Sequence, residues 1–304
     1  MKSCLIIYNP HSGKGIKEEQ LKQFLKILEK NKYEYVLKKT KYEKHAYEII
    51  KEASHFDLVI SLGGDGTFNE VLSGNLERSE QLVLSHIPLG TTNDIGAMFG
   101  LNKNLLNNLK LILNGTVKKI DVCSINNVPF MYVAGCGKFM NIPYETPRNL
   151  KKKFGYLAYL YEGVKNAFNQ TKLFDISYTI DGVTYNGLYS FILISNASRI
   201  AGVNDVYKDV LLDDDKFEVL LCNITTKKDI IKSLYYLKTS SDISKVPGLY
   251  ILKTDNLKIR FKGNVPDWCI DGEKLENERK VYEIDINKRI DMLIPYSKIK
   301  KLFK

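Results

Sequence analysis

The stretch Ser61-Leu-Gly63-Gly64-Asp65-Gly66-Thr67-Phe68-Asn69-Glu70 follows an apolar run at residues 58–62 and leads into a helical pattern. Three glycines in four positions allow the backbone to turn sharply and to approach a ligand closely. The N-terminus of the helix that follows would offer unpaired N–H groups, which bind phosphate. The stretch therefore predicts a phosphate-binding turn between a strand and a helix, with an ordinary β-turn as the structural alternative.

On both sides of this turn, the first third of the chain alternates apolar runs with amphipathic helical patterns. The runs at residues 3–8, 33–37, 58–62 and 82–87 predict strands, and the patterns at residues 21–28, 43–53 and 68–76 predict helices. Strands that alternate with helices are typical of parallel β-α-β units, which bind ligands at the carboxyl ends of their strands. The glycine stretch stands at such an end.

From about residue 121 the sequence becomes rich in strand patterns. Predicted strands cover residues 130–134, 176–180, 189–195, 217–224, 257–261 and 281–286, and Ile180-Asp-Gly182 has the composition of a hairpin turn. We therefore expect an α/β domain over residues 1–122, followed by a larger antiparallel β-sandwich domain over residues 123–290.

The composition narrows the class of protein. The 45 Lys and Arg residues exceed the 35 Asp and Glu residues and give a net charge of +10, which favours nucleotides, nucleic acid or an anionic membrane as partners. The apolar runs are shorter than the roughly 20 residues of a transmembrane helix. The first residues have no signal-peptide pattern, so we expect a cytoplasmic protein. The five cysteines have no C-x-x-C spacing, which favours buried, reduced thiols over a zinc or redox site.

Three common nucleotide-binding signatures are absent from the sequence. A Rossmann G-x-G-x-x-G would need glycine at Asn69, and a P-loop ending in Gly13-Lys14 would need glycine at Tyr8. Protein-kinase signatures do not occur either. Dehydrogenases, P-loop NTPases and protein kinases are therefore disfavoured.

Four motifs occur in a characteristic order: Asn9-Pro10-His-Ser12-Gly13, Gly63-Gly64-Asp65-Gly66-Thr67-x-Asn69-Glu70, Pro88-Leu-Gly90-Thr91-Thr92-Asn93-Asp94 and Asp271-Gly272-Glu273. In this order and spacing the sequence resembles the diacylglycerol/sphingosine lipid kinase family. NAD kinases and 6-phosphofructokinases share the Gly-Gly-Asp-Gly element, but an NAD kinase would carry an Asn-x-Gly-x-Leu-Gly-Phe-like stretch in place of the third motif. The resemblance implies an α/β plus β fold: a phosphofructokinase-like N-terminal nucleotide domain, a larger β-sandwich C-terminal domain, and residues 291–304 packing back on the first.

The resemblance also implies an ATP site on the loops of the first domain. The residues it assigns to ATP are Asn9, Pro10, His11, Ser12, Gly13, Thr40, Gly64, Asp65, Gly66, Thr67, Phe68, Asn69, Glu70 and Thr91. Backbone N–H groups, hydroxyls and helix N-termini are phosphate ligands that need no change of protonation. Thr40 has an alternative interpretation as a helix N-cap.

Four carboxylates receive catalytic roles from the resemblance. Asp65, Asp94 and Asp121 resemble the acidic network that holds the catalytic Mg²⁺ of the family through water, although a single Asp at a strand end otherwise caps a helix. Glu273 matches the family's general base, which accepts the proton of the lipid hydroxyl. From its residues alone, Asp271-Gly-Glu is a hairpin turn.

A second cation site is implied by the segment Leu211-Leu-Asp213-Asp214-Asp215-Lys216, which resembles an Asp-Asp-Gly segment of the family. There the carboxylate of Asp214 and the main-chain carbonyls of Leu211 and Lys216 would hold Mg²⁺. Asp215 stands where the family has glycine, and Asp adopts a left-handed turn less freely than glycine. This departure leaves both the loop geometry and the metal site open.

Two basic amphipathic patterns are candidates for membrane contact. Behind Lys151-Lys-Lys153, apolar residues recur at Phe154, Leu157, Tyr161, Val164 and Phe168, and residues 227–238 place Ile230, Ile231, Leu234 and Leu237 among lysines. Either stripe could instead pack on the protein core. We expect peripheral contact with an anionic membrane and no nucleic-acid partner. The sequence leaves the oligomeric state open, with a homodimer as one alternative.

Together these observations predict an ATP- and Mg²⁺-dependent lipid kinase, with diacylglycerol as the expected acceptor and phosphatidic acid as the product. A sphingoid base, phosphatidylglycerol or another lipid alcohol are alternative acceptors. An NAD kinase and a non-catalytic nucleotide- or lipid-binding regulatory protein are the alternative functions.

Overall fold

The computed structural model describes residues 1–138, 172–197, 199–200, 203–204, 207, 209–226, 228–229, 231–232, 246–275 and 279–304. The chain forms two compact units. The first unit consists of Met1–Asp121 and Lys288–Lys304, and the second consists of Val122–Asn287.

The helices and strands are named here in chain order. The helices are α1 (Glu18–Lys30), α2 (His45–Lys51), α3 (Asp65–Leu76), α4 (Asp94–Met98), α5 (Leu105–Leu113) and α6 (Ile299–Leu302), with a 3₁₀ turn at Tyr296–Lys298. The strands are β1 (Lys2–Tyr8), β2 (Tyr33–Lys39), β3 (Leu58–Gly63), β4 (Leu84–Pro88), β5 (Thr116–Ile125), β6 (Val128–Phe130), β7 (Val133–Gly137), β8 (Phe174–Ile180), β9 (Val183–Tyr189), β10 (Phe191–Ser195), β11 (Arg199–Ile200), β12 (Val203–Asn204), β13 (Phe217–Cys222), β14 (Leu249–Thr254), β15 (Asn256–Phe261), β16 (Trp268–Ile270), β17 (Glu273–Lys274) and β18 (Val281–Ile294).

The first unit is built on a parallel sheet in the order β2-β1-β3-β4, and Met292 of β18 pairs with β4 in the same direction. Every residue of β3 is buried, as expected of a central parallel strand with helices on both faces. α1 buries Phe24 and Leu28 and carries acidic residues in its first turn, where they complement the helix dipole. The confirmed α/β pattern thus follows from apolar runs that alternate with amphipathic helices.

The register of this sheet brings the strand ends together. Tyr8, the last residue of β1, pairs with Lys39 of β2 and with Leu62 of β3, and Gly63 pairs with Pro88 of β4. The chain therefore leaves all four strands at one edge of the sheet. The strand order reverses direction between β1 and β3, which is the place where open α/β sheets bind ligands.

The end of the chain belongs to the first unit. Leu302 and Phe303 are buried, and the Lys118 ammonium lies 5.4 Å from the centre of the Phe303 ring. The Ser85 hydroxyl donates a hydrogen bond of 2.9 Å to the carbonyl of Leu293. The first contact packs Phe303 against β5, and the second joins the end of β18 to β4.

The second unit contains two antiparallel sheets with a shared core. In its described residues, one sheet has the order β14-β13-β10-β7-β16-β17, and the other pairs β18 with β15, β15 with β8, and β8 with β9. β15 alternates buried and exposed residues, and Leu257, Ile259 and Phe261 face the core. They pack in a single apolar cluster with Ile192 and Ile194 of β10 and with other residues of the six-stranded sheet. This β-sandwich confirms the fold class predicted for the second half of the chain.

Two predicted strands were wrong in detail, because backbone turns interrupt them. Residues 130–134 are divided between β6 and β7, with Met131 and Tyr132 in the turn between them. Residues 189–195 are divided at Ser190, whose N–H and hydroxyl both donate to the Cys222 carbonyl, at 2.6 and 3.0 Å. The strands β5, β9, β14 and β16 and the helices α4 and α5 were not predicted.

The five cysteines, Cys4, Cys123, Cys136, Cys222 and Cys269, are free and buried. This confirms the prediction of buried, reduced thiols. Burial raises the pKa of Cys4 to about 12 and the pKa of Cys136 well above its ordinary value.

Among the described residues, the structure contains no helix that is both long and apolar enough to span a membrane.

Candidate active site

Three loops of the first unit come together where β1, β3 and β4 end. We call residues 9–15, 63–67 and 89–93 the loop cluster. The Ser12 hydroxyl accepts a hydrogen bond of 3.1 Å from the Gly64 N–H. The Asn9 side-chain amide donates to the Thr67 hydroxyl at 2.9 Å. The Leu89 N–H donates to the Gly63 carbonyl at 2.6 Å. The first three of the four motifs found in the sequence therefore form one structural feature.

Glycines allow these loops to approach each other closely. Gly13 has φ +57°, and a Cβ atom there would lie 2.1 Å from the Leu89 carbonyl oxygen. A Cβ atom on Gly90 would lie 2.9 Å from the Cα of Gly64. Only residues without a side chain fit at these two positions. At Gly64, by contrast, a Cβ atom would meet its nearest neighbour at an ordinary 3.5 Å.

The N-terminus of α3 opens into the loop cluster. Gly64 is the N-cap residue of this twelve-residue helix and has no side chain with which to cap it. The first N–H groups of a helix carry a partial positive charge and are ready donors to an anion. A glycine-lined cradle at a helix N-terminus fits a phosphate group.

Asp65 and Asp94 lie together at the edge of this cradle. The Asp65 carboxylate accepts hydrogen bonds from the N–H groups of Asp94 at 3.1 Å and Ile95 at 3.2 Å. It therefore holds the start of α4, which follows Asn93 in the left-handed conformation at φ +55°. Asp65 and Asp94 are both buried. The structure thus brings together two of the three carboxylates that the sequence assigned to magnesium.

Asp121, the third of these carboxylates, is fully buried and forms an ion pair with Arg289. The Nε of Arg289 donates to its Oδ1 at 2.7 Å. The guanidinium offsets the charge that would otherwise be left in the interior. Arg289 was not singled out from the sequence, since it is 168 positions from Asp121.

Thr40 and Glu70 frame the loop that leads into α2. The Thr40 N–H donates to the Tyr8 carbonyl at 2.8 Å, which places Thr40 beside the end of β1. The two carboxylate oxygens of Glu70 accept from the N–H groups of Lys44 at 3.0 Å and Ala46 at 3.1 Å. Glu70 thereby caps the first turn of α2.

Other residues assigned to ATP differ in what they can offer a nucleotide. The Phe68 side chain is completely buried and packs against the His86 ring, with centroids 5.0 Å apart. Its N–H donates to the Gly64 carbonyl at 3.1 Å, as part of the first turn of α3. Burial lowers the pKa of His86 to about 3, so that its imidazole is neutral at physiological pH. His11 is exposed, Pro10 and Thr91 are half-buried, and Gly66 and Asn69 belong to α3.

Glu273 is exposed in the second unit, as the first residue of β17, directly after the two-residue turn that joins β16 to β17. Ile270 pairs with Glu273, and the turn residues Asp271 and Gly272 have φ +48° and +94°. This is the pattern of an Asp-Gly type I′ turn. The hairpin expected from the residues alone is therefore present at the position that the motif assigns to a base.

Asp271 anchors this hairpin in the core. Its carboxylate accepts from the N–H groups of Met131 at 2.7 Å, Tyr132 at 3.1 Å and Val133 at 3.0 Å. Burial raises its pKa to about 6, while the three N–H donors act in the opposite direction. The sequence analysis gave Asp271 no role, although its place beside Glu273 in an Asp-Gly turn was a usable signal.

At the Asp214 loop (residues 209–218) of the second unit, the backbone turns as a glycine would allow, but a lysine lies beside the carboxylate that was predicted to bind a metal. Asp215 adopts φ +60°, the left-handed conformation for which glycine was expected. The carboxylate of Asp214 accepts from the Lys216 N–H at 3.1 Å and pairs with the Lys253 ammonium at 2.9 Å. Lys253 also lies 3.2 Å from Glu218. Burial raises the pKa of Glu218 to about 7, and Lys253 acts against that rise.

Within the described ranges, no group of three or more His, Cys, Asp or Glu side chains is placed to hold a metal ion directly. The prediction of a basic amphipathic helix at residues 151–168 lies outside the described residues. Of residues 227–238, positions 228–229 and 231–232 are described, and they are helical.

Comparison of the sequence with known proteins identifies a family. Residues 3–125 match the family described as the diacylglycerol kinase catalytic domain. The chain is 31% identical to the diacylglycerol kinase of Bacillus subtilis over 235 residues, which cover 76% of this chain and 77% of the relative. It is 34% identical to a diacylglycerol kinase of Staphylococcus epidermidis over 261 residues, which cover 85% of this chain and 82% of the relative.

Solved structures share the fold. A crystal structure of a diacylglycerol kinase from Bacillus anthracis superposes with a TM-score of 0.75 at 20% identity, covering 98% of both chains. Another crystal structure from that organism superposes with a TM-score of 0.84 at 22% identity, covering 98% of this chain and 97% of the other. The solved structures show a shared fold, and the relatives that are 31% and 34% identical establish that the chain belongs to the diacylglycerol kinase family of lipid kinases.

Proposed function

We propose that this protein transfers the γ-phosphoryl group of ATP to the hydroxyl of a membrane lipid, with diacylglycerol as the acceptor and Mg²⁺ as the metal. The observation that carries the proposal is the loop cluster, in which Ser12, Gly64 and Gly90 meet at the N-terminus of α3. Backbone N–H groups in such a cradle bind phosphate by geometry and partial charge.

The loop cluster would bind and orient the phosphates of ATP. Asn9 and Ser12 tie the first loop to the second through hydrogen bonds of 2.9 and 3.1 Å, so the cradle exists before the nucleotide arrives. Preorganised donors lose little conformational entropy on binding. Glu70, by capping α2, would hold Thr40 at the side of this site.

Asp65 and Asp94 are the residues that would hold magnesium, through its water molecules. Both residues are buried, and the Asp65 carboxylate accepts a hydrogen bond from the backbone N–H of Asp94, which brings the two residues together at the cradle. When bound, Mg²⁺ would supply positive charge to the phosphate oxygens. Asp121 would contribute a further negative charge, held in place by Arg289.

Glu273 is the proposed general base. The hydroxyl oxygen of the lipid attacks the γ-phosphorus, a new O–P bond forms, and the bond between this phosphorus and ADP breaks. The proton of the hydroxyl passes to a carboxylate oxygen of Glu273. Three N–H bonds to Asp271 hold the hairpin that carries this carboxylate.

The test of this function is an assay with γ-labelled ATP. The purified protein is incubated with total bacterial lipid extract, and in parallel with diacylglycerol, a sphingoid base, phosphatidylglycerol and NAD⁺. We expect labelled phosphatidic acid, and no label when Mg²⁺ is removed by EDTA. Label on NAD⁺ would establish the NAD kinase alternative. No labelled product in any arm, with ATP still bound, would leave a non-catalytic nucleotide-binding protein.

Replacing the proposed base tests the mechanism. Glu273→Ala should lower turnover by at least about a hundredfold, which is the usual effect of losing a general base, and leave ATP affinity nearly unchanged. The matched control is Asp267→Ala, because Asp267 is an exposed carboxylate near the same hairpin, paired with Lys274 at 2.9 Å. Near-normal turnover of Glu273→Ala would remove Glu273 from the mechanism.

A further inference from the structure

The loop at residues 209–218 of the second unit contains a cluster of charges that the proposed reaction does not use. Asp214 and Glu218 have side chains only 8% and 4% exposed. Two carboxylates so far from water need a nearby cation. In a lipid kinase of this family, the sequence motif at Asp214 implied a divalent metal.

A lysine already occupies the centre of this cluster. The Nζ of Lys253 lies 2.9 Å from Oδ2 of Asp214 and 3.2 Å from Oε1 of Glu218. It also donates to the main-chain carbonyl of Asp209 at 3.3 Å. An ammonium has three N–H donors, and three oxygens surround this one.

The position of Lys253 is set by the sheet. β13 and β14 are antiparallel neighbours, and their register places Lys253 directly opposite Glu218. Directly opposed side chains have Cβ atoms about 5 Å apart, which is within the reach of a lysine. The ammonium thus reaches Asp214 from a fixed point on a strand.

A divalent ion does not fit this arrangement. Oδ1 of Asp214 accepts the Lys216 N–H, and Oδ2 is in contact with Lys253. Mg²⁺ requires oxygen ligands at about 2.1 Å in near-octahedral geometry, and an ammonium about 3 Å from the same carboxylate would repel it.

We infer that Lys253 is the cation of the Asp214 loop, so that this loop folds without a divalent metal. Asp215 in the left-handed conformation preserves the turn that brings Asp214 to the ammonium. The inference is independent of the proposed activity, because it concerns folding rather than turnover.

Thermal unfolding without nucleotide tests this inference. Any change in the melting temperature of the wild type between EDTA and saturating MgCl₂ or CaCl₂ should be the same in Asp214→Asn, because a metal held at Asp65 and Asp94 does not depend on this loop. Lys253→Met should melt at least about 5 °C lower in EDTA, because it leaves two buried carboxylates uncompensated. Divalent ions should restore part of this loss in a concentration-dependent manner, since a metal that binds only the folded state stabilises it.

Matched variants keep the test decisive. Lys258→Met removes an exposed lysine that is likewise opposite a glutamate, Glu283, on a neighbouring strand pair, and should change little. Lys253→Arg keeps the positive charge, and Asp214→Asn removes the carboxylate. If Lys253→Met does not fold, these two variants remain, and divalent ions should shift the melting temperature of both by the same amount as that of the wild type. The inference is overturned if the wild type is stabilised by Mg²⁺ and Asp214→Asn abolishes that effect.

Discussion

Asp271 and Asp181 occupy the same position in two Asp-Gly hairpin turns but differ in burial and in hydrogen bonding. Both are followed by glycine, both have positive φ, and both close two-residue hairpins. Asp181 is exposed, whereas Asp271 is buried and collects three N–H donors. The same dipeptide is a simple turn in one hairpin and an anchor in the other.

This comparison leads to a prediction at the residue scale. Asp271→Ala should lower the free energy of unfolding by at least about 2 kcal/mol, because it leaves buried N–H groups without their charged acceptor. Asp181→Ala should cost less than about 1 kcal/mol, since it loses only the preference of Asp for the left-handed conformation. Chemical denaturation of both variants measures the difference. Equal losses would mean that the three hydrogen bonds to Asp271 contribute little.

At the scale of the element, Gly13 and Gly64 lie in the same loop cluster, but the fold requires a glycine only at position 13. A Cβ atom on Gly13 would collide with the Leu89 carbonyl at 2.1 Å, whereas one on Gly64 has room at 3.5 Å. Gly64 also has φ −89°, which any residue can adopt. The glycine at this position is therefore not needed for the fold.

Gly64→Ala should accordingly fold normally but bind ATP less well. We expect a loss in affinity of at least about tenfold, or ~1.4 kcal/mol, because the methyl group stands where the phosphates approach. Isothermal titration and thermal unfolding measure the two effects separately. Gly13→Ala should instead lower the melting temperature.

The control for these glycine variants is Gly182→Ala, at a positive-φ position with no atom near its would-be Cβ. It should leave ATP binding unchanged. Unaltered ATP affinity in folded Gly64→Ala would argue that this loop is not the phosphate site.

Elements with local signals could be predicted from the sequence, whereas long-range contacts could not. The apolar run of β3 and the Asp181-Gly182 hairpin follow from neighbouring residues alone. The division of residues 130–134 into two strands depends on Asp271, about 140 positions away, whose carboxylate takes the N–H groups of Met131 and Tyr132. No periodicity in the sequence carries that information.

The candidate site shows the same limit. The motifs singled out three loops as the candidate site. The parallel sheet explains why these loops, which follow β1, β3 and β4, meet. They did not reveal Arg289 and Lys253, because each meets its carboxylate through strand pairing or long-range packing. Nor did they show that Glu70 caps α2, since a capping carboxylate from a separate helix has no local pattern.

At the scale of the whole molecule, the net charge of +10 suggests attraction to an anionic membrane. Residues 228–229 and 231–232 add a local feature, because Ile231 is 61% exposed between the exposed residues Lys228 and Lys232. Each lysine near an acidic bilayer contributes about 1 kcal/mol of attraction.

We therefore expect turnover on diacylglycerol in mixed vesicles to rise with the anionic lipid content and to fall as salt rises. Screening acts over about 8 Å at physiological ionic strength and weakens exposed charges first. Lys228→Gln with Lys232→Gln should reduce activity on anionic vesicles but not on a short-chain soluble substrate. The control is Lys26→Gln with Lys30→Gln, which removes the same charge from α1. Equal rates on neutral and anionic vesicles would contradict electrostatic docking.

The burial of all five thiols makes the chain a convenient background for site-specific labelling. A maleimide reacts with an exposed thiolate, and thiols such as Cys4, with its pKa raised to about 12, are shielded from the reagent and protonated. A cysteine introduced at Val183, which is 52% exposed at the start of β9, would be the reactive thiol of the folded protein. A fluorophore could be attached there without removal of any native cysteine.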